Sequence, residues 1–100
     1  MILEIALLDI FSGQEEEFEI AFGQAQGIIQ SMRGYLSHEL QRCIETKSRY
    51  VLLVKWETLE DHTVGFRGAE QYHEWKGLLH HFYNPFPTVE HFTMVHRNGL

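Results

Sequence analysis

Of the seven histidines in the 100-residue chain, His62 has the surroundings that best suit chemistry. It lies four residues before Phe66 on an expected helix, a spacing at which two side chains share one face. A free imidazole titrates near neutrality and can accept the proton of a phenol. Arg67 follows between Gly65 and Gly68. Two glycines break a helix there, so the guanidinium can turn into a cleft and hold a phenolate or a carboxylate. Tyr72 and Trp75 continue at helical spacing. Together with Phe66 and Trp56 they are the aromatic groups that line small-molecule sites. His38 and His91 fall on expected strands among apolar neighbours and are further candidates for substrate contact. Each residue also has a plainer reading. His62 serves equally as a surface or capping histidine, Arg67 as half of an ordinary ion pair, and the aromatics and strand histidines as core.

Other chemistries find less support. Glu70, His73 and His80 lie on one helix face, but His80 and His81 point to different sides, and neither a cysteine pair nor H-x-x-x-H occurs. No metal site and no cofactor is expected. Glycine-rich phosphate loops, nucleophile elbows and Ser-His-Asp arrangements are absent. Cys43 is the single cysteine, which excludes an internal disulfide and reads as a buried structural residue. The formal charge is −6, with acidic residues clustered at Glu15, Glu16 and Glu17, so nucleic acid is not an expected partner. No apolar run approaches the roughly 20 residues that cross a bilayer, and the N-terminus lacks a basic start, so a cytoplasmic protein without a membrane partner is expected.

The elements that must position these residues follow from apolar spacing. Residues 2 to 11 are a short apolar run and predict a strand covered on both faces. Ser12 and Glu15 have capping-box spacing at the start of a helix, whose apolar stripe runs Phe18, Ala21, Phe22, Ala25, Ile28, Ile29 and Met32. Arg33-Gly34 supplies a cationic last turn and a terminating glycine, and Gly23 and Gly27 suggest close approach of this helix to the sheet. Residues 35 to 44 and 49 to 57 predict a hairpin around Glu45-Thr46-Lys47-Ser48. On its first strand, strict alternation puts His38 with Leu36, Leu40 and Arg42. On the second, Tyr50, Leu52, Val54 and Trp56 alternate with Val51, Leu53 and Lys55, large groups on both sides.

Thr58 and Asp61 have the spacing of a second cap before a short helix to Phe66, and a longer helix spans about 69 to 83. Asn84-Pro85-Phe86-Pro87 ends it, and Thr88 to Val95 is the last strand. The order β-α-β-β-α-β predicts one α+β domain over residues 1 to 100, with core 2 to 95. It is a ferredoxin-like split βαβ sandwich whose antiparallel four-stranded sheet carries helices on one face. The apolar second face calls for a second copy, so a homodimer is expected.

Three segments carry a family resemblance: Gly34-Tyr35 leading into Leu36 to Leu40, Val54-Lys55-Trp56-Glu57 running into Leu59 to His62, and Phe66-Arg67 followed by Tyr72 and Trp75. They resemble the antibiotic biosynthesis monooxygenase family of dimeric α/β barrels, whose superfamily also includes haem-degrading monooxygenases and small quinol oxygenases. The resemblance covers residues 2 to 95. It implies a homodimer that oxidises a small aromatic, phenolic or quinol-like substrate with molecular oxygen, without metal or flavin. His62 and Arg67 would polarise the substrate, while Trp56, Phe66, Tyr72 and Trp75 shape the pocket. A haem-degrading role fits less well, because Phe66 and Lys76 stand where such members carry tryptophan and histidine. The other reading of the same residues is a non-catalytic, stress-related barrel that binds an aromatic ligand.

Overall fold

The computed structural model describes residues 1–99. Strand β1 (Ile2–Asp9) lies between β3 (Arg49–Trp56) and β4 (Val89–Phe92), and β2 (Tyr35–Arg42) flanks β3, so the sheet order is β2-β3-β1-β4. Every pairing is antiparallel. Helices α1 (Glu15–Gln30) and α2 (Glu70–Leu79) pack on one face, with a π-helical turn at Asp61–Phe66 before α2 and a 3-10 turn at His80–Phe82 after it. This is the α+β ferredoxin-like arrangement that the order of elements predicts.

The core lies between sheet and helices. Ala6, Leu8, Leu52, Val54 and Trp56 point up from the strands, and Phe18, Phe22, Ala25 and Ile29 point down from α1 along the expected stripe. On the other face of the sheet, β1 and β3 present Leu3, Ile5, Leu7, Val51 and Leu53, joined by Phe92 of β4. No element of this chain covers that face. Leu7 is 42% and Phe92 46% exposed, so the cover expected for both sides of these strands is supplied within the chain on one side alone.

Several local expectations are corrected. Ser12 does not cap α1: the chain turns at Phe11–Gln14 with Gly13 at φ +88°, and Gln14 occupies the cap without a side-chain bond. Glu15 instead accepts from the Gly13 N–H at 3.1 Å and from the Ser48 hydroxyl. The helix stops at Gln30, so Arg33 is not in its last turn. Gly23 and Gly27 are exposed and face open space, which removes close approach as their explanation. A bulge between Tyr35 and Ser37 inserts a residue into β2, moving Leu36 off the face of His38 and bringing Tyr35 onto it. Cys43 is half-buried rather than core, and the last strand is only four residues long.

Thr58 and Asp61 do form the expected box: the Thr58 N–H donates to Asp61 Oδ2 and the Asp61 N–H to Thr58 Oγ1, both at 3.2 Å. Gly34 serves the same corner. Its φ is +83°, and a Cβ there would lie 2.1 Å from Asp61 Oδ2. Gly34→Ala is therefore expected to cost more than about 1 kcal/mol, whereas Gly27→Ala, on an open helix surface, should gain about 0.5–1 kcal/mol. Urea denaturation of the two variants measures both; equal effects would contradict this assignment.

Candidate active site

The candidate site grows from a carboxylate that sequence reasoning passed over. Glu4 alternates onto the helix face of β1 with Ala6 and Leu8, and it is only 5% exposed. Sheet register makes it the cross-strand partner of His91, while β3 ends nearby in Trp56, opposite Ile2. From above, the π-helical turn lowers His62 onto the same spot. A π turn carries one more residue than an α turn and often marks a functional site; here it leaves both His62 and Phe66 buried.

These groups form one chain of close polar contacts. Trp56 Nε1–H donates to Glu4 Oε1 at 2.9 Å, and His62 Nε2 lies 3.3 Å from the same oxygen. On its other side, His62 Nδ1 meets His91 Nε2 at 2.8 Å. The His62 ring stacks on Trp56 with centroids 5.4 Å apart. Both ring nitrogens of His62 are thus engaged. Glu4 Oε2 and His91 Nδ1 make no hydrogen bond among the described residues.

Burial sets the electrostatics. It raises the pKa of Glu4 above its usual value, against the opposing effects of the Trp56 hydrogen bond and the Arg67 charge. It lowers His62 to about 3, helped by Arg67 and His91, so His62 is neutral at physiological pH. The 3.3 Å contact is therefore one between a neutral imidazole and the carboxyl rather than an ion pair. His91 is lowered as well, by burial and then by Arg67.

Beside this chain is a cavity of about 50 Å³ between the sheet and the helices. Glu4, His62 and Arg67 line it together with Phe66, Tyr72 and Trp75, and aliphatic side chains such as Leu8, Leu52 and Leu79 complete the lining. The aromatic walls interlock edge to face: Phe66 lies 5.1 Å from Tyr72 and 5.6 Å from Trp75 between centroids. Burial also raises the Tyr72 phenol. Arg67 is exposed at the rim and makes no salt bridge among the described residues, so the plain ion-pair reading does not describe it. At this size the space holds water or dioxygen. It is well below the ~300 Å³ of a typical ligand pocket, so a larger guest requires Tyr72, or the Phe86 and Pro87 that also line the space, to move aside.

The structure thus gathers His62, Arg67, Phe66, Tyr72 and Trp75 around one cavity and puts Trp56 and His91 directly behind it. His38 lies elsewhere. It bridges Tyr35 Oη at 2.5 Å and Gln26 Oε1 at 3.0 Å, and burial lowers its pKa; the β2 bulge that gives it Tyr35 as a partner makes it a structural histidine. Glu70, His73 and His80 do not converge, and among the described residues no three potential ligands are grouped to hold a metal ion. No helix is long and apolar enough to cross a membrane.

Comparison with known proteins places this fold in a class. The antibiotic biosynthesis monooxygenase family matches residues 1–78, and the chain belongs to that family. Its relative YczJ of Bacillus subtilis (strain 168), an uncharacterized protein, is 61% identical over 95 residues, covering 95% of this chain and all of YczJ. A crystal structure from Bordetella bronchiseptica assigned to the same family superposes with a TM-score of 0.90 at 36% identity, covering 94% of this chain and 96% of that one. SnoaB of Streptomyces nogalater, a cofactor-independent oxygenase, shares the fold with a TM-score of 0.70 at 19% identity, over 99% of this chain and 95% of its own.

The raised pKa of Glu4 has a consequence for stability. Ionising the buried carboxylate costs folding energy, so its stabilising neutral form is present at low pH and lost as pH rises through the folded-state pKa. Glu4→Gln does not ionise. The melting temperature of Glu4→Gln minus that of the unmodified protein should therefore be more positive at pH 8 than at pH 4. An equal difference at the two values would contradict a carboxyl held neutral by burial.

Proposed function

We propose that the protein is a cofactor-independent monooxygenase that oxidises a small phenolic or quinol-like substrate with molecular oxygen. The observation that carries this reading is the convergence on one cavity of Glu4, His62 and Arg67, which makes no salt bridge among the described residues, with Phe66, Tyr72 and Trp75 in the same lining. A substrate that is its own reductant needs little else. Once its hydroxyl is ionised it can pass an electron to dioxygen, and the site must favour the anion, stack the ring and exclude water. Arg67 offers charge for the phenolate, with Phe66, Tyr72 and Trp75 against the ring. Trp56 and His91 hold His62 in place. The family and the likeness to SnoaB support this reading at the level of class.

The protein acts as a homodimer in this proposal. The face of Leu3, Ile5, Leu7, Val51, Leu53 and Phe92 is a continuous apolar surface, and the same face of a second copy is its natural cover. The cavity lies on the opposite side of the sheet, so each copy keeps its own site. Sedimentation at micromolar concentration should give twice the chain mass, and a monomer would contradict the pairing.

A second reading is favoured by the small cavity. With a cavity of about 50 Å³ lined by Phe66, Tyr72 and Trp75, the protein in this reading binds an aromatic ligand without altering it once those walls move aside. Oxygen uptake separates the two. With anthrone or a hydroquinone and no added metal or flavin, the protein should consume oxygen above the uncatalysed rate. Arg67→Ala should lower kcat/KM by at least about tenfold. Binding without oxygen uptake would replace the oxygenase by the carrier.

A further inference from the structure

Glu4 and His91 flank His62 in a chain of close polar contacts, with His62 Nε2 3.3 Å from Glu4 Oε1 and His62 Nδ1 hydrogen-bonded to His91 Nε2 at 2.8 Å, and among the described residues each end keeps one atom without a partner. Glu4 lines the cavity, and its Oε2 has no protein donor. His91 sits half-buried on the edge strand β4, which pairs only with β1, and its Nδ1 is without a partner. Between them His62 presents Nε2 to the carboxylate and Nδ1 to the second imidazole. We propose that Glu4 is the proton acceptor for a hydroxyl bound in the cavity, and that His62 and His91 are the relay through which this buried carboxyl exchanges its proton with solvent.

The proton count closes. With Glu4 ionised, Trp56 Nε1–H donates to Oε1 and His62 Nε2–H faces the same oxygen at 3.3 Å, while His91 Nε2–H donates to His62 Nδ1 and His91 Nδ1 is a bare lone pair. A proton taken up at that lone pair is passed inward. His91 Nε2 gives its hydrogen to His62 Nδ1, and His62 Nε2 gives its own to Glu4. The result is a neutral carboxyl donating to His62 Nε2, His62 Nδ1–H donating to His91 Nε2, and a hydrogen on His91 Nδ1. One proton has been added, no imidazolium remains, and both histidines have changed tautomer. Run backwards, the same steps empty Glu4. When a phenolic O–H meets the emptied Oε2, its proton moves to that oxygen and the electron pair stays on the substrate oxygen, whose charge then faces Arg67; rotation of the carboxyl about Cγ–Cδ carries the proton to the oxygen position beside His62 Nε2, from which the relay empties it.

The surrounding groups favour this division of labour. Charged and titratable neighbours of Glu4 are Arg67 and His62 from the π-helical turn and its end, His91 from β4, Tyr72 from α2, and His80 and Tyr83 beyond α2. Burial and the Arg67 charge disfavour an imidazolium at His62 or His91, which suits neutral carriers and makes His62 a poor base on its own. A carboxylate made more basic by burial is a closer match to a phenol with a pKa near 10 than an ordinary one. His62 and His91 are positioning residues in this scheme; Glu4 alone touches the reacting proton.

The relay itself does not depend on the oxygenase reading, whereas the role of Glu4 at a substrate hydroxyl does. Long-range proton–nitrogen correlation spectra of the full-length protein, recorded across the Glu4 titration, read the tautomers directly. The relay predicts that His62 and His91 switch together from Nε2–H to Nδ1–H on acidification while both stay neutral, and that Glu4→Gln abolishes the switch in a folded protein. Fixed tautomers, or imidazolium at either ring during that titration, would overturn it. With anthrone as probe, Glu4→Gln should lower kcat by about 10²-fold or more, with a smaller change in KM. Oxygen uptake that survives Glu4→Gln would remove Glu4 as acceptor and leave the oxygenase standing. A tautomer switch without any uptake would keep the relay and remove both the oxygenase and the catalytic role of Glu4.

Discussion

Burying a carboxyl group among aromatic rings is costly unless its oxygens find donors, and the way Glu4 meets that requirement organises much of this structure. The polar groups gathered around it come from three separate places in the chain. Trp56 arrives at the end of β3, His62 descends from the turn that follows, and His91, bonded to His62, closes the group from β4. Each arrival constrains backbone. The β1–β4 register must set Glu4 against His91, and the turn after Trp56 must widen by a residue to bury both His62 and Phe66. The Thr58–Asp61 box and Gly34 anchor the start of that turn, since the Gly34 carbonyl accepts the Glu57 N–H at 2.8 Å and its missing side chain leaves room for Asp61. A chain that satisfied only its apolar pattern would need none of this.

The two faces of the sheet divide the work. Most aromatic rings and the Glu4–His62–His91 group crowd the helix side, while the opposite side carries the apolar band of Leu3, Ile5, Leu7, Val51, Leu53 and Phe92, flanked by Lys55, Glu39 and Glu90. Because side chains alternate along a strand, one sheet can thus build a site on one face and keep the other for association without any residue serving both. Access to the cavity must come from the helix side, where the exposed Arg67 and the Phe86–Pro87 segment form its rim.

Much of the fold was legible in the residues. The stripe from Phe18 to Ile29, the alternation from Tyr50 to Trp56 and the Thr58–Asp61 spacing each declared their element, because each depends on local periodicity. The failures involve geometry that periodicity does not encode. A one-residue bulge changed the partners of His38, and a preceding turn took Ser12 away from the helix it seemed to cap. The site was half legible: His62, Arg67 and the aromatics were visible as residue types at helical spacing. Glu4 was not, since β1 read as a strand apolar on both sides. The signal was present, because an acid two positions from Ala6 and four from Leu8 must share their buried face. An inward carboxylate on a core strand demands partners, and the neighbouring strand ends hold Trp56 and His91.

The central claim is that Glu4 is a buried, hydrogen-bonded carboxyl whose proton is held more tightly than that of an ordinary glutamate. Carbon-13 detection of its side-chain carboxyl in the unmodified protein, followed through a pH titration, tests this directly. A midpoint above the ordinary 4.5, accompanied by shifts in the ring nitrogens of both His62 and His91 at the same pH, is the predicted result. A midpoint at or below 4.5, with both histidines silent, would show a solvated carboxylate and contradict the account.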